Sequence, residues 1–153
     1  MKAQLIKHQV QVAIGAQAAP LGDLTFVRDG RREYSGFSYG QKWLQSPERF
    51  EISPDLPLRD DFFTRRALDE ADSPFHFAFA DTAPDEWGRR IIRRAHAKRR
   101  AADPTLPQLT AFDHLASVAD FSRIGALRLI DSKGQFRFGR SGKILNPSLV
   151  IAI

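Results

Sequence analysis

The sequence predicts an α+β domain: a small antiparallel sheet with two or three helices packed on it. Three observations carry this expectation. Alternating apolar residues dominate roughly the first sixty positions, helical spacing takes over from Phe62, and a pair of alternating runs returns near the C-terminus. Strands, then helices, then strands is the order of an α+β chain rather than of repeated βαβ units.

The elements follow in order. Gln9 to Ile14, QVQVAI, alternates strictly and reads as a strand, with a second at Leu24 to Val27. Asp29-Gly30 is a turn signal, and REYSGFSYG after it alternates again through Tyr34, Phe37 and Tyr39. In FEISPDLPL, Pro54 and Pro57 forbid a helix and keep the chain extended. Asp81 or Thr82 is placed to cap a helix, Pro84 suits its first turn, and Asp85 and Glu86 sit where the helix dipole favours acids. Trp87, Ile91, Ile92 and Ala95 form its expected inward stripe, with Arg89, Arg93, His96 and Arg100 opposite and Arg90 and Arg94 at the flanks. After Pro104 and Pro107, Thr110 caps a second helix with Asp113 in its first turn and Ala111, Leu115 and Val118 on one face. GALRLI, the turn DSKG and QFRFG then read as a hairpin, with Leu127 and Leu129 on one side and Phe136 and Phe138 on its second strand.

Length and composition narrow the function classes. A chain of 153 residues is one domain's worth and can bury a core without disulfides or metals. No cysteine is present, which excludes a disulfide framework, a thiolate zinc site and a cysteine nucleophile, and suits a reducing compartment. The net charge of +5 favours an acidic partner. The longest apolar stretch near the N-terminus, Val12-Ala13-Ile14, is too short for a signal-peptide core or a membrane span, so a soluble, cytoplasmic protein is expected. Residues 1–140 read as the domain and residues 141–153 as a tail ending in five apolar residues, Leu149 to Ile153. Such an end pairs with a sheet, meets a partner or marks a cut reading frame.

The chemical motifs are weighed against their structural readings. Gly36-Phe37-Ser38-Tyr39-Gly40 has the G-x-S-x-G spacing, but a nucleophile elbow needs a helix straight after the serine, and the alternation here runs past Ser38. Ser38 is therefore expected to be a strand residue. The four histidines, His8, His76, His96 and His114, lack metal-ligand spacing, so no metal site is expected. Phe75, Phe77 and Phe79 are expected in the core rather than as a platform for bases. No glycine-rich phosphate loop occurs, so neither a catalytic residue nor a cofactor is assigned. The basic run remains. Its placement on a helix surface and at a helix C-terminus is explained by solvation and the dipole alone, with protein docking and nucleic-acid binding as the functional alternatives.

Four fragments, FSYGQKWL with ISPDLPL, FAFADTAPDEWGRR, and LTAFDHLASVADFSRIGALRL, resemble in order the N-terminal subdomain of HipA-type toxin kinases. PDEWGRR is similar to the tryptophan-containing branch of that family. The resemblance covers Leu21 to Ile130 and implies a module that precedes a serine/threonine kinase body, packs on it, and contacts a helix-turn-helix antitoxin and other copies of itself. The family's ATP-holding loop and catalytic aspartates lie beyond the matched region, so no catalytic role is carried over. The reading is a non-catalytic module that meets a kinase body in trans or an antitoxin, reaching DNA only through a partner. A remnant of a truncated kinase and a small basic nucleic-acid binder are the alternatives. Arg89, Arg93, Arg94 and Arg100 are the expected partner-binding residues.

Overall fold

The computed structural model describes residues 4–117 and 126–131. Five strands form one antiparallel sheet: β1 (Leu5–Ile14), β2 (Ala19–Asp29), β3 (Arg32–Tyr39), β4 (Phe63–Arg66) and β5 (Leu127–Ile130). Their spatial order is β4-β3-β2-β1-β5. The described helices are α1 (Gln41–Gln45), α2 (Phe77–Ala80), α3 (Glu86–Ala102) and α4 (Ala111–Ala116). The α+β class is as the sequence predicts, with two of these four helices too short for periodicity to reveal.

One face of the sheet is apolar and covered, the other polar and wet, which is how an antiparallel sheet with helices on one side divides its residues. Val10 faces Leu24 across β1 and β2, and Leu24 faces Phe37 across β2 and β3. All three are buried, while the neighbours Gln9, Gln11 and Asp23 are exposed. The β2–β3 connection is the two-residue loop Gly30-Arg31, in which Gly30 takes a φ of 61°. A tight hairpin turn needs this sign, and a residue without a Cβ adopts it freely. Asp29-Gly30 is thus the turn its dipeptide announces.

β4 departs from the expectation of helix from Phe62 onward. Four residues, Phe63 to Arg66, pair antiparallel with Tyr34 to Phe37 and place Phe63 beside Phe37. In so short a segment helical and strand spacing are indistinguishable, and the open edge of β3 decides between them. Buried polar contacts then fasten the long connections. The Ser35 hydroxyl donates to the carbonyl of Pro74 at 2.6 Å. The Tyr39 hydroxyl donates to Leu56 O at 2.7 Å and accepts from Ile52 N–H at 3.1 Å. These bonds explain why FEISPDLPL stays extended and packed although it joins no sheet strand.

The expected DSKG turn and its second strand fall outside the described residues, as do Val118 and the tail 141–153; β5 itself pairs with β1, Leu129 opposite Val12. Leu127 and Leu129 are buried on one side, as their alternation requires. Phe75 and Phe79 lie in the core, whereas Phe77 between them is 53% exposed. Its ring is instead capped by the Arg65 guanidinium at 5.3 Å.

Gly22 in β2 tests this packing. A Cβ there would lie 2.1 Å from the backbone oxygen of Ser38 on the neighbouring strand. Backbone cannot swing aside as a side-chain tip can, so Gly22→Ala is expected to destabilise by about 1–3 kcal/mol, read as a lowered melting temperature with an unchanged circular dichroism spectrum at 10 °C below the midpoint. A melt matching that of the parent would show that β2 and β3 are not held at this spacing.

Candidate functional site

The site is built around α3. Its true N-cap is Asp85, whose carboxylate accepts from Gly88 N–H at 2.8 Å, so the helix starts later than caps at Asp81 or Thr82 would place it. Thr82 is buried and donates its hydroxyl to Phe79 O at 2.8 Å, closing α2. Two turn-forming residues that read as one cap thus belong to the end of the preceding helix.

The later start does not change the helix's periodicity, but burial falls on a different stripe from the expected one. Trp87 is 53% exposed, and Ile91 and Ile92 are half-buried without joining the buried cluster of the sheet. Gly88 is the buried residue, and Ile92 and Ala95 follow it at helical spacing. Trp87, Ile91, Arg94 and Lys98, spaced i, i+4, i+7 and i+11, therefore share an outward face on which all but Ile91 are exposed. The tryptophan does not hold the helix to its sheet.

The opposite flank, expected to be open, turns toward the chain that follows. The His96 Nε2–H donates to the carbonyl of Pro107 at 2.9 Å, which fixes the proton on that nitrogen because a carbonyl only accepts. Arg93, His96 and Arg100 from α3, Pro104 and Gln108 from the connection, and His114 from α4 line a cleft of about 550 Å³. Arg100 Nε and His114 Nδ1 are both buried with no hydrogen-bond partner among the described residues.

The far wall of the cleft is held by α4. Its capping box is complete: Thr110 N–H donates to Asp113 Oδ2 at 2.8 Å, and Asp113 N–H donates to the Thr110 hydroxyl at 3.2 Å. Phe112, one position from the expected stripe, stacks on His8 with centroids 4.4 Å apart and packs against Phe26 at 5.7 Å. Arg28 donates to Leu109 O at 3.3 Å, and Glu33 accepts from Ala111 N–H at 3.4 Å. Burial first, offset by that hydrogen bond and by Arg28, leaves the Glu33 carboxyl above the usual range.

Of the four expected partner-binding residues, the structure brings Arg93 and Arg100 into the cleft and places Arg94 on the outward face. Arg89 pairs with Glu86 at 3.5 Å, and Arg93 pairs with the same carboxylate at 2.7 Å. Those contacts, the Arg93 hydrogen bond foremost, hold Glu86 below the usual carboxylate range. Ser38 lies in β3 opposite Asp23, a strand residue as expected. Among the described residues no cluster of histidine and carboxylate side chains is arranged to hold a metal ion, and no helix is long and apolar enough to cross a membrane.

A single five-stranded antiparallel sheet with helices is an α+β domain. The chain belongs to the HipA N-terminal domain family, whose model matches residues 12–130. No curated protein matches the chain.

His114 gives the site a pH signature. Burial, then the charges of Arg93 and Arg89, lower its pKa from the ordinary 6.5, against smaller opposing effects of Asp113 and Glu86. Below pH 6.5 the unfolded imidazole takes up a proton that the folded one resists, so stability falls on acidification through that range. His76 shifts in the same direction, chiefly through burial. His114→Gln should flatten, but not abolish, the loss of melting temperature between pH 7.5 and 5.5. An unchanged slope would place His114 in contact with solvent.

Proposed function

We propose that this chain is a non-catalytic docking module of a HipA-type toxin–antitoxin system, acting in the cytoplasm and packing against a kinase body or an antitoxin. The observation that carries the reading is the outward stripe of α3 in a chain of this family: an exposed tryptophan flanked by Ile91, Arg94 and Lys98. A large amphipathic ring left half in water costs solvation unless something covers it, and tryptophan and arginine are the residues that dominate protein interfaces. Arg94 and Lys98 add positive charge, consistent with an acidic surface on the partner. On this reading Trp87, Ile91 and Arg94 are the docking residues, while Arg89 and Arg93 are paired with Glu86 on the other flank.

Binding to a HipA-family kinase body supplied in trans, or to its helix-turn-helix antitoxin, tests the proposal by titration calorimetry. Trp87→Ala is expected to weaken the complex by about 2 kcal/mol or more, roughly thirtyfold, while leaving the melting temperature within about a degree. Arg94→Gln should weaken it less and reduce its salt dependence. Tight binding of the chain alone to random duplex DNA, with a steep salt slope and no sensitivity to Trp87, would overturn the proposal in favour of a nucleic-acid binder.

The non-catalytic half of the proposal has its own test. A kinase site holds its nucleotide through magnesium ions and a phosphate-covering loop, and ligand binding raises the melting temperature by linkage. Magnesium-ATP is expected to give no magnesium-dependent shift. A rise of several degrees that disappears with EDTA would overturn this half.

A further inference from the structure

The charges of α3 divide into two rows. On one flank Arg89 and Arg93 both pair with Glu86, at 3.5 Å and 2.7 Å. Glu86 is the only acidic residue of the helix, so its carboxylate is committed to that flank. The second row is Arg90, Arg94 and Lys98, at i, i+4 and i+8, and all three are exposed. Among the described residues none of them has a carboxylate within ion-pair distance. Like charges at i and i+4 repel and weaken a helix. The dipole favours cations only in the last turn, where Arg99 and Arg100 stand, and Arg90 and Arg94 lie well before it. Solvation is served by charge of either sign, yet this row holds one sign only.

The same face carries apolar groups beside the row. Trp87, Ile91, Arg94 and Lys98 follow at intervals of four, three and four residues, the spacing of a seam between two helices that cross at a shallow angle. The first half of this seam is apolar and the second cationic, with Arg90 alongside. Residues four apart on a helix are separated by a rise of about 6 Å, and carboxylates at the same interval on a facing helix keep step with them. Side chains on one face of a strand recur every ~6.8 Å and drift out of step by the third pair. A phosphate backbone would answer the cations but offers Ile91 nothing to pack against. A second copy of α3 would bring the same unneutralised cations. We propose that the partner surface is an acidic amphipathic helix, which lays apolar residues on Trp87 and Ile91 and carboxylates along Arg90, Arg94 and Lys98. This rests on the docking reading above and specifies the chemistry of its partner.

The probes are synthetic three-heptad helical peptides titrated into the full chain at low salt. Two acidic peptides carry leucines along one half of a stripe and glutamates along the other, in opposite polarities so that either helix direction is covered. Their lysine counterparts and a random DNA duplex are the controls. One acidic peptide is expected to bind saturably, at least tenfold tighter than its lysine counterpart and more weakly as salt rises. Arg94→Glu and Lys98→Glu should each weaken it at least tenfold with the melting temperature unchanged, while Arg89→Gln, in the neutralised row, should change it less than twofold. The proposal is overturned if neither acidic peptide saturates, if the lysine peptides or the duplex bind as tightly, or if the two charge reversals bind as the parent does. The same variants titrated with a HipA-family kinase body or its antitoxin separate this proposal from the docking reading. Affinity lost in Trp87→Ala but kept in both charge reversals would overturn the acidic helix and leave the docking reading standing. Affinity kept in all three would overturn both.

Discussion

The stacking of Phe112 on His8 is the contact through which the sheet holds α4 and, with it, the connection that leads back to α3. Three rings, His8, Phe26 and Phe112, lie nearly parallel across two strands and a helix. α4 has only six residues, too few to be stable by propensity, so it depends on this burial and on its capping box. α4 in turn fixes the end of the connection from Asp103 to Leu109, and that connection carries the Pro107 carbonyl on which His96 rests. The position of the long basic helix thus depends on an aromatic stack that none of its own residues enters. Glu33 and Arg28 reinforce the same junction from β2 and β3, and burial of the Glu33 carboxyl is a cost that the junction absorbs.

This arrangement explains why α3 keeps so much polar and aromatic surface in water. A helix seated squarely on a sheet buries a wide apolar stripe. α3 buries only Gly88 fully, with half-buried isoleucines beside it. One flank then closes on α4 to form the cleft, and the other presents Trp87 outward. Two chemically distinct surfaces result from one helix: an outward face of aromatic and basic side chains, and a recess lined by arginine, histidine and apolar side chains.

Much of the fold is legible in the sequence because the sheet buries one face only. Alternation from Gln9 to Val12, the Asp29-Gly30 turn and the Thr110–Asp113 cap each report a local constraint that tertiary contacts leave unopposed, whereas a register shift between Val12 and Ala13 buries both of those neighbours. β4 is not legible, since four residues carry too little periodicity and the open edge of β3 decides their state. The site is legible in part. The basic residues of α3 are evident, but a helix with apolar residues at Trp87, Ile91, Ile92 and Ala95 offers two overlapping stripes, and spacing alone does not say which one faces inward. Burial at Gly88 decides it, and a glycine carries no hydropathy signal. Spacing does not place His114 or Gln108 beside α3, because the cleft joins segments separated in sequence, with the prolines and the α4 cap between them.

The sheet's outer limit at β4 has a further consequence. An edge strand exposes unpaired backbone donors and acceptors, and long flat edges recruit strands from other molecules. Here the edge offers only four residues of ladder, of which Arg65 and Arg66 carry charge. Arg65 is tied inward to Asp72 and to the Ser73 carbonyl, while Arg66 stands exposed on the polar side. An incoming strand would gain few hydrogen bonds and would have to lie beside the exposed Arg66. Brevity and exposed charge thus make this edge a poor template for pairing with another chain.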